Sequence, residues 1–263
     1  MKIGIFDSGI GGLSVLHRAL KELPDAEFIY YADTKNVPYG EKPKELVLEL
    51  VENIVNFMAS QNVDAVVVAC NTATSVAIND LREKFDFPII GMEPAVKKAL
   101  EDYPEKRTLV FATPITVQGE KMKYLLERVD QDHLVDMVPT PGLVRFAEKG
   151  IFEGTEVEDY ILEQLKGFDL NNYSSLVLGC THFNYFKKTL NKLLPDTIHF
   201  VDGIEGTVMQ LKRMLSYNTN RDSSDTKGFS ENVTYYFSGS AASFEELQLT
   251  KSLMKILDSV ENL

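Results

Sequence analysis

Short apolar runs alternate along this chain with longer segments whose apolar residues recur every three or four positions. Lys2 to Phe6, Glu27 to Tyr31, Ala65 to Ala69 and Phe87 to Gly91 read as buried strands. Between them, LSVLHRALKEL, a long segment opened by Pro43, Ser75 to Lys84 and Pro94 to Tyr103 read as helices. In the second of these the spacing places Leu46, Leu50, Ile54 and Phe57 on one face. The alternation then restarts. Thr108 to Ala112, Leu134 to Val138, Leu176 to Gly179 and Ile198 to Val201 are predicted strands, and Gln118 to Arg128, Glu156 to Leu165, Phe183 to Leu194 and Glu205 to Ser216 helices. TPITVQG is expected to be a loop, in the position that DSGIGG holds after the first strand. Tyr217 to Val233 is polar and reads as a mobile surface loop, followed by a strand at Thr234 to Phe237 and a helix at Phe244 to Leu257.

Strands alternating with helices mean βαβ units and mostly parallel sheet. The interval from Asp7 to Cys70 is nearly that from Thr113 to Cys180, so whole elements repeat. The predicted fold is α/β: two similar, mostly parallel-sheet domains related by approximate internal duplication, with a cleft between them. The expected division is residues 1–95 with 207–263 for a discontinuous first domain, and 96–206 for the second. Loops at the carboxyl ends of parallel strands would line the cleft.

The repeat holds the chain's two cysteines, in VVVACNTAT and LVLGCTHFN. Each follows a predicted strand and precedes a predicted helix, whose N-terminus is expected to favour the thiolate. CxxC is absent, and only His182 stands near either cysteine in sequence, which is too little for a zinc site. A GxSxG-type elbow needs glycine where Thr72 and His182 stand. Two matching thiols suit a reaction that is nearly its own mirror image, in which one group takes a proton from a carbon and the other delivers one to the opposite face. Asn71, Thr72, Thr181 and backbone N–H groups are placed to hold a substrate carboxylate. Asp7, with Ser8, is expected to meet a substrate ammonium or to orient Cys70, and His182 to be the acid/base partner of Cys180. DSGIGG matches neither GxGxxG nor the P-loop, so nucleotide binding is not favoured. VPYG is a turn by composition.

Composition narrows the setting. The hydrophobic fraction, 44%, suffices for a real core. A net charge of −12 without a Lys/Arg block argues against nucleic-acid binding. No apolar run of about eighteen residues is present, so no membrane span is expected. The start shows no signal peptide, which with two cysteines leads to the expectation of a cytoplasmic, reducing setting.

Taken together, IGIFDSGIGGLSV, ADTKNVPYG, ACNTAT, FATPITV and LGCTHF resemble the glutamate racemases of the aspartate/glutamate racemase superfamily. The resemblance implies two α/β domains related by pseudo-twofold symmetry, with an active site in the cleft between them, and interconversion of L- and D-glutamate without cofactor or metal, supplying D-glutamate for peptidoglycan, in a homodimer. It implies that Cys180 takes the proton from L-glutamate and Cys70 from D-glutamate, assisted by His182 and Asp7. Asp7-Ser8, Tyr39-Gly40, Asn71-Thr72 and Thr181-His182 match the substrate-binding pairs, and Glu148 matches a glutamate sometimes given an acid/base role. The segment around Glu148, PGLVRFAEKG, departs from the commoner PLLVPLVE-like form at Arg145 and Phe146, and FNYF after GCTH departs from YPLL. The chain opens on its first strand, so activation by a peptidoglycan precursor is not expected. Two other readings stand beside this one: a superfamily enzyme acting on another substrate such as aspartate, and a two-domain protein that binds a small molecule without turning it over.

Overall fold

The computed structural model describes residues 1–92, 95–104, 106–216, 232–261 and 263. The chain runs β1 Lys2–Asp7, α1 Leu13–Glu22, β2 Glu27–Ala32, α2 Lys44–Ser60, β3 Ala65–Val68, α3 Asn71–Lys84, β4 Ile89–Gly91 and α4 Val96–Asp102. It continues through β5 Arg107–Ala112, α5 Pro114–Gln118, α6 Glu120–Val129, β6 Val135–Pro139, α7 Pro141–Glu148, α8 Thr155–Leu165, β7 Tyr173–Leu178, α9 Lys187–Leu193 and β8 His199–Val201. The last elements are α10 Ile204–Met214, β9 Val233–Phe237, β10 Ser240–Ala241 and α11 Phe244–Val260.

Two sheets form, in the orders β10-β9-β2-β1-β3-β4 and β6-β5-β7-β8. All pairings are parallel except β10 with β9. The inner strands are covered on both faces, which is why β1 and β3 are apolar runs rather than alternating ones. The internal repeat is visible in the strand order. The strand opening each unit, β1 or β5, lies between its two successors, and the fourth strand follows the third. The chain therefore reverses direction across the sheet beside β1 and again beside β5, and the crevice at the carboxyl ends of such strands is where α/β sheets bind ligands. β9 returns from the far end of the chain to pair with β2 over Phe28–Ala32.

One apolar cluster joins residues of α1, β1 and β2 to residues of β5, β7, α7, α8 and α11, so the units share a continuous core. A second cluster packs α2 and α3 on the other face of the first sheet, and a third packs α4 and α6 on the second. Full burial of each Leu, Ile, Val or Phe in these layers is worth about 1.5–3 kcal/mol. Helix α11 starts with a reciprocal capping box, Ser243 with Glu246.

Four elements differ from the sequence reading. TPITVQG is not a loop: Pro114 at the first helical position starts the short helix α5, which ends where Gly119 is extended. The buried face of α2 is Val47, Val51, Ile54, Val55 and Met58, whereas Leu46 is exposed, because that stripe is the one turned to the first sheet and α3. Helix α7 covers residues to which no element was assigned. The helix read from Phe183 begins instead as a 3-10 turn, Thr181–Phe186, before α9. The loop expected at 217–233 lies outside the described residues over 217–231, as does the expected helix start at 94. Among the described residues no helix is long and apolar enough to cross a membrane.

Candidate active site

The two strand-to-helix turns that carry the cysteines converge on the loop after β1. Asp7 ends β1 and is fully buried. Its Oδ1 accepts from Gly9 N at 3.0 Å and its Oδ2 accepts from Thr181 Oγ1 at 3.0 Å, across the cleft. The next residue, Ser8, lies on the other side of the same loop, with Oγ 3.6 Å from Cys70 Sγ. Asp7-Ser8 therefore stands between the two cysteine segments. The structure assigns Asp7 to the Cys180 segment through Thr181, and its influence on Cys70 is through charge rather than a hydrogen bond.

The glycines of DSGIGG allow this approach. A side chain at Gly11 would place Cβ 2.7 Å from the His182 backbone nitrogen, so only glycine lets the loop press against the turn after β7. Two tyrosines hold the loop by its carbonyls: Tyr30 Oη donates to Gly9 O and Tyr185 Oη to Ile10 O.

Cys70 caps α3, its Sγ accepting from Ala73 N at 3.4 Å. Burial pushes the thiol up to about 12, and the charges of Asp7 and Cys180 push the same way, outweighing the bonds to Ala73 and Ser8. This corrects the expectation that the helix N-terminus would favour the thiolate: one N–H cannot offset loss of water around a buried anion. Cys180 has a different partner, with Sγ 3.7 Å from His182 Nδ1. Opposite it, His182 Nε2 lies 2.6 Å from Glu148 Oε1, which also accepts from Ile10 N at 2.9 Å. Burial opposes a charged imidazole, but Cys180 and Glu148 on its two nitrogens outweigh that and carry His182 well above its ordinary pKa. Asp7 is raised to about 6, chiefly by burial, against the pull of His182 and its hydrogen bonds.

The remaining sequence-predicted residues line the same place. Thr72 Oγ1 meets Thr113 Oγ1 at 2.9 Å across the cleft, and Thr113 passes the contact to Thr116 at 3.1 Å. Asn71 and Thr181 are buried beside the two thiols. Tyr39 Oη donates to Asp33 Oδ2 at 2.6 Å, and Gly40 packs so closely on Thr113 that a Cβ there would lie 2.6 Å from the threonine's own. Three contributors went unrecognised in the sequence. Asp33, in ADTKNVPYG, is buried and gathers Tyr39, Asn36 and Ser238. Thr113 and Thr116 complete the hydroxyl chain, and the one signal for them was the equivalence of Thr113 with Asp7.

The sequence profile of the Asp/Glu/hydantoin racemase family matches residues 12–211. A glutamate racemase of Campylobacter curvus is 58% identical over 222 residues, covering 82% of this chain and 84% of its own. The crystal structure of Escherichia coli glutamate racemase in complex with L-glutamate and the activator UDP-MurNAc-Ala superposes with a TM-score of 0.77 at 27% identity, covering 92% of this chain and 99% of that one. Glutamate racemase of Francisella tularensis in complex with D-glutamate gives 0.78 at 25%, covering 97% and 93%. By profile, by identity over most of its length and by fold, the chain belongs to the Asp/Glu/hydantoin racemase family, in its glutamate racemase branch.

Proposed function

We propose that the protein interconverts L- and D-glutamate by moving protons between the α-carbon and two thiols, Cys70 and Cys180. The observation that carries this reading is the placement of Asp7-Ser8, whose adjacent side chains face the Cys180 and Cys70 segments respectively. Relatives of this fold that bind L-glutamate in one case and D-glutamate in the other support a site open to both hands.

In the L-to-D direction Cys180, as thiolate, takes the α-proton. The carbanion is then protonated from the opposite face by the Cys70 thiol. The products are D-glutamate, a Cys180 thiol and a Cys70 thiolate, and the reverse direction exchanges the roles. With its pKa near 12, Cys70 rests as a thiol at neutral pH, ready to donate. Asn71, Thr72 and Thr181 hold the α-carboxylate, and Tyr39-Gly40 closes on the remainder of the substrate. Asp7-Ser8 faces the ammonium, and Glu148 fixes the imidazole of His182. No cofactor or metal is assigned a step. The two units are taken as residues 1–95 with 207–263, and 96–206. A cytoplasmic homodimer supplying D-glutamate for peptidoglycan rests on the resemblance to other glutamate racemases alone.

The test is α-hydrogen exchange in deuterium oxide with each enantiomer, followed alongside optical rotation. Exchange with inversion for glutamate, and not for aspartate, is expected. Binding without exchange would leave a ligand-binding protein, and faster turnover of aspartate would reassign the substrate.

The buried carboxylate predicts the acid limb of the pH profile. An ordinary aspartate stays charged down to about pH 4. Asp7, raised to about 6, takes up its proton as the pH falls through that value and loses its charge toward Thr181 and the substrate. The expected kcat/KM falls about tenfold per pH unit below the limb. Asp7→Asn should be slow throughout and lack the limb. A wild-type limb near pH 4 would assign the ionisation to another group.

A further inference from the structure

The residues assigned to substrate are shut in: Cys70 is 6% exposed, Cys180 7%, Thr181 3% and His182 1%. Opening contacts across the cleft would widen the way for glutamate to reach them. Most of those contacts are buried and uncharged on at least one side: Thr72 with Thr113, Thr181 with Asp7, Ile10 N with Glu148, Tyr185 with Ile10 O. One is an ion pair at the surface. Arg145 Nη1 donates to Glu41 Oε1, joining α7 to the 3-10 turn Tyr39–Glu41.

Both ends of this pair are attached directly to the site. Glu41 follows Tyr39 and Gly40, the first tied to buried Asp33 and the second pressed on Thr113. Arg145 lies one turn before Glu148 on α7, the acceptor for His182 and Ile10 N. The helix itself is pinned, since Gly142 N donates to Tyr160 Oη at 2.9 Å and the Tyr160 ring packs edge-on against Phe146. Arg145 is thus a charge on a fixed helix, and Glu41 is the charge on the short turn that meets it.

We infer that Arg145 and Glu41 are a positioning pair for racemisation, holding the Tyr39–Glu41 turn closed over the two thiols and setting how readily glutamate enters. The inference rests on the racemase reading for its kinetic consequence but not for its structural one. With side chains 52% and 40% exposed, the pair is screened by salt, so the closed state should loosen as ionic strength rises. It predicts that one sign at both positions pushes the turn off α7, whereas exchanging the charges restores the contact.

The experiment compares wild type, Glu41→Arg, Arg145→Glu and the exchanged pair E41R/R145E. Two readouts are used: iodoacetamide labelling of Cys70 and Cys180, quantified by mass spectrometry, and glutamate racemisation. Each single reversal is expected to label both thiols about three- to tenfold faster and to raise KM by a similar factor, with kcat changed less than about twofold. The exchanged pair should return both readouts toward wild type. Raised salt should speed labelling of wild type and of the exchanged pair but not of the single variants. Thermal unfolding identifies any single variant that labels faster because it is unfolded, and the recovery in E41R/R145E then decides. Labelling unchanged in the single variants, or no recovery in the exchanged pair, overturns the inference and moves the entrance elsewhere, for example to the cavity of about 230 Å³ beside Asn71 and Thr116. An inactive wild type whose labelling still follows the charges would overturn the racemase reading alone.

Discussion

Cys70→Ser and Cys180→Ser are each expected to lower racemisation of both enantiomers by about 10²–10⁴-fold, the usual worth of a positioned acid or base. A hydroxyl fills nearly the same volume but gives up its proton far less readily than a thiol, so the variant keeps the shape and loses the base. The loss must be equal in the two directions. L- and D-glutamate have the same free energy in water, so kcat/KM for one always equals that for the other, whichever side of the site is damaged. One-sidedness appears instead in exchange. Cys180→Ser keeps Cys70, which can remove the α-proton of D-glutamate and return a deuteron to the same face, giving exchange without inversion. Cys70→Ser should do the same with L-glutamate. If one variant exchanges both enantiomers at the wild-type rate, or if the preferences are reversed, the assignment of thiols to faces is wrong. Thermal unfolding compared with wild type separates this from misfolding, since both sulfurs are buried.

The two units were legible in the sequence because a strand covered on both faces must be largely apolar, and IGIF in β1, AVVV in β3, LVFA in β5 and LVL in β7 are unbroken apolar runs. The placement of Cys70 and Cys180 followed from the same pattern, since each ends such a run. What stayed hidden depended on what packs against what. The buried stripe of α2 was misassigned because Leu46 and Val47 are both apolar, and only the positions of the sheet and α3 distinguish them. The direction of the Cys70 shift was misjudged because sequence shows the helix N-terminus but neither the depth of burial nor the charge of Asp7, which is 63 residues away in the chain and part of the same site. Asp33 stayed hidden for a related reason. A short polar side chain after a strand reads as turn chemistry, its bond to Tyr39 six residues on is set by the fold of the intervening loop, and its hold on Ser238 exists only once β9 has returned beside β2.

His182→Asn is expected to have the next largest effect, about 10²-fold on kcat, and Glu148→Gln an effect nearer tenfold. The two substitutions test different parts of one chain of contacts, Cys180 to His182 to Glu148. Glutamine keeps an Oε1 that can accept from both Ile10 N and His182 Nε2, so Glu148→Gln removes the charge and spares the geometry. With Glu148 in place the imidazole stays protonated at neutral pH, because its pKa lies well above the ordinary value. Without that carboxylate the pKa falls, and the cation is lost as pH rises through the lower value. The basic limb of kcat/KM should therefore move to lower pH in Glu148→Gln and disappear in His182→Asn. Asparagine also strands the carboxylate of Glu148 without its cation. Breaking a fully buried pair in this way costs about 3–5 kcal/mol, and less is expected here because Glu148 keeps some access to water at 18% side-chain exposure. If both residues act through Cys180, the double variant should be no slower than His182→Asn. Effects that multiply instead would mean that Glu148 acts on the substrate independently, and a basic limb unmoved by Glu148→Gln would mean that the carboxylate only anchors Ile10 and the loop after β1.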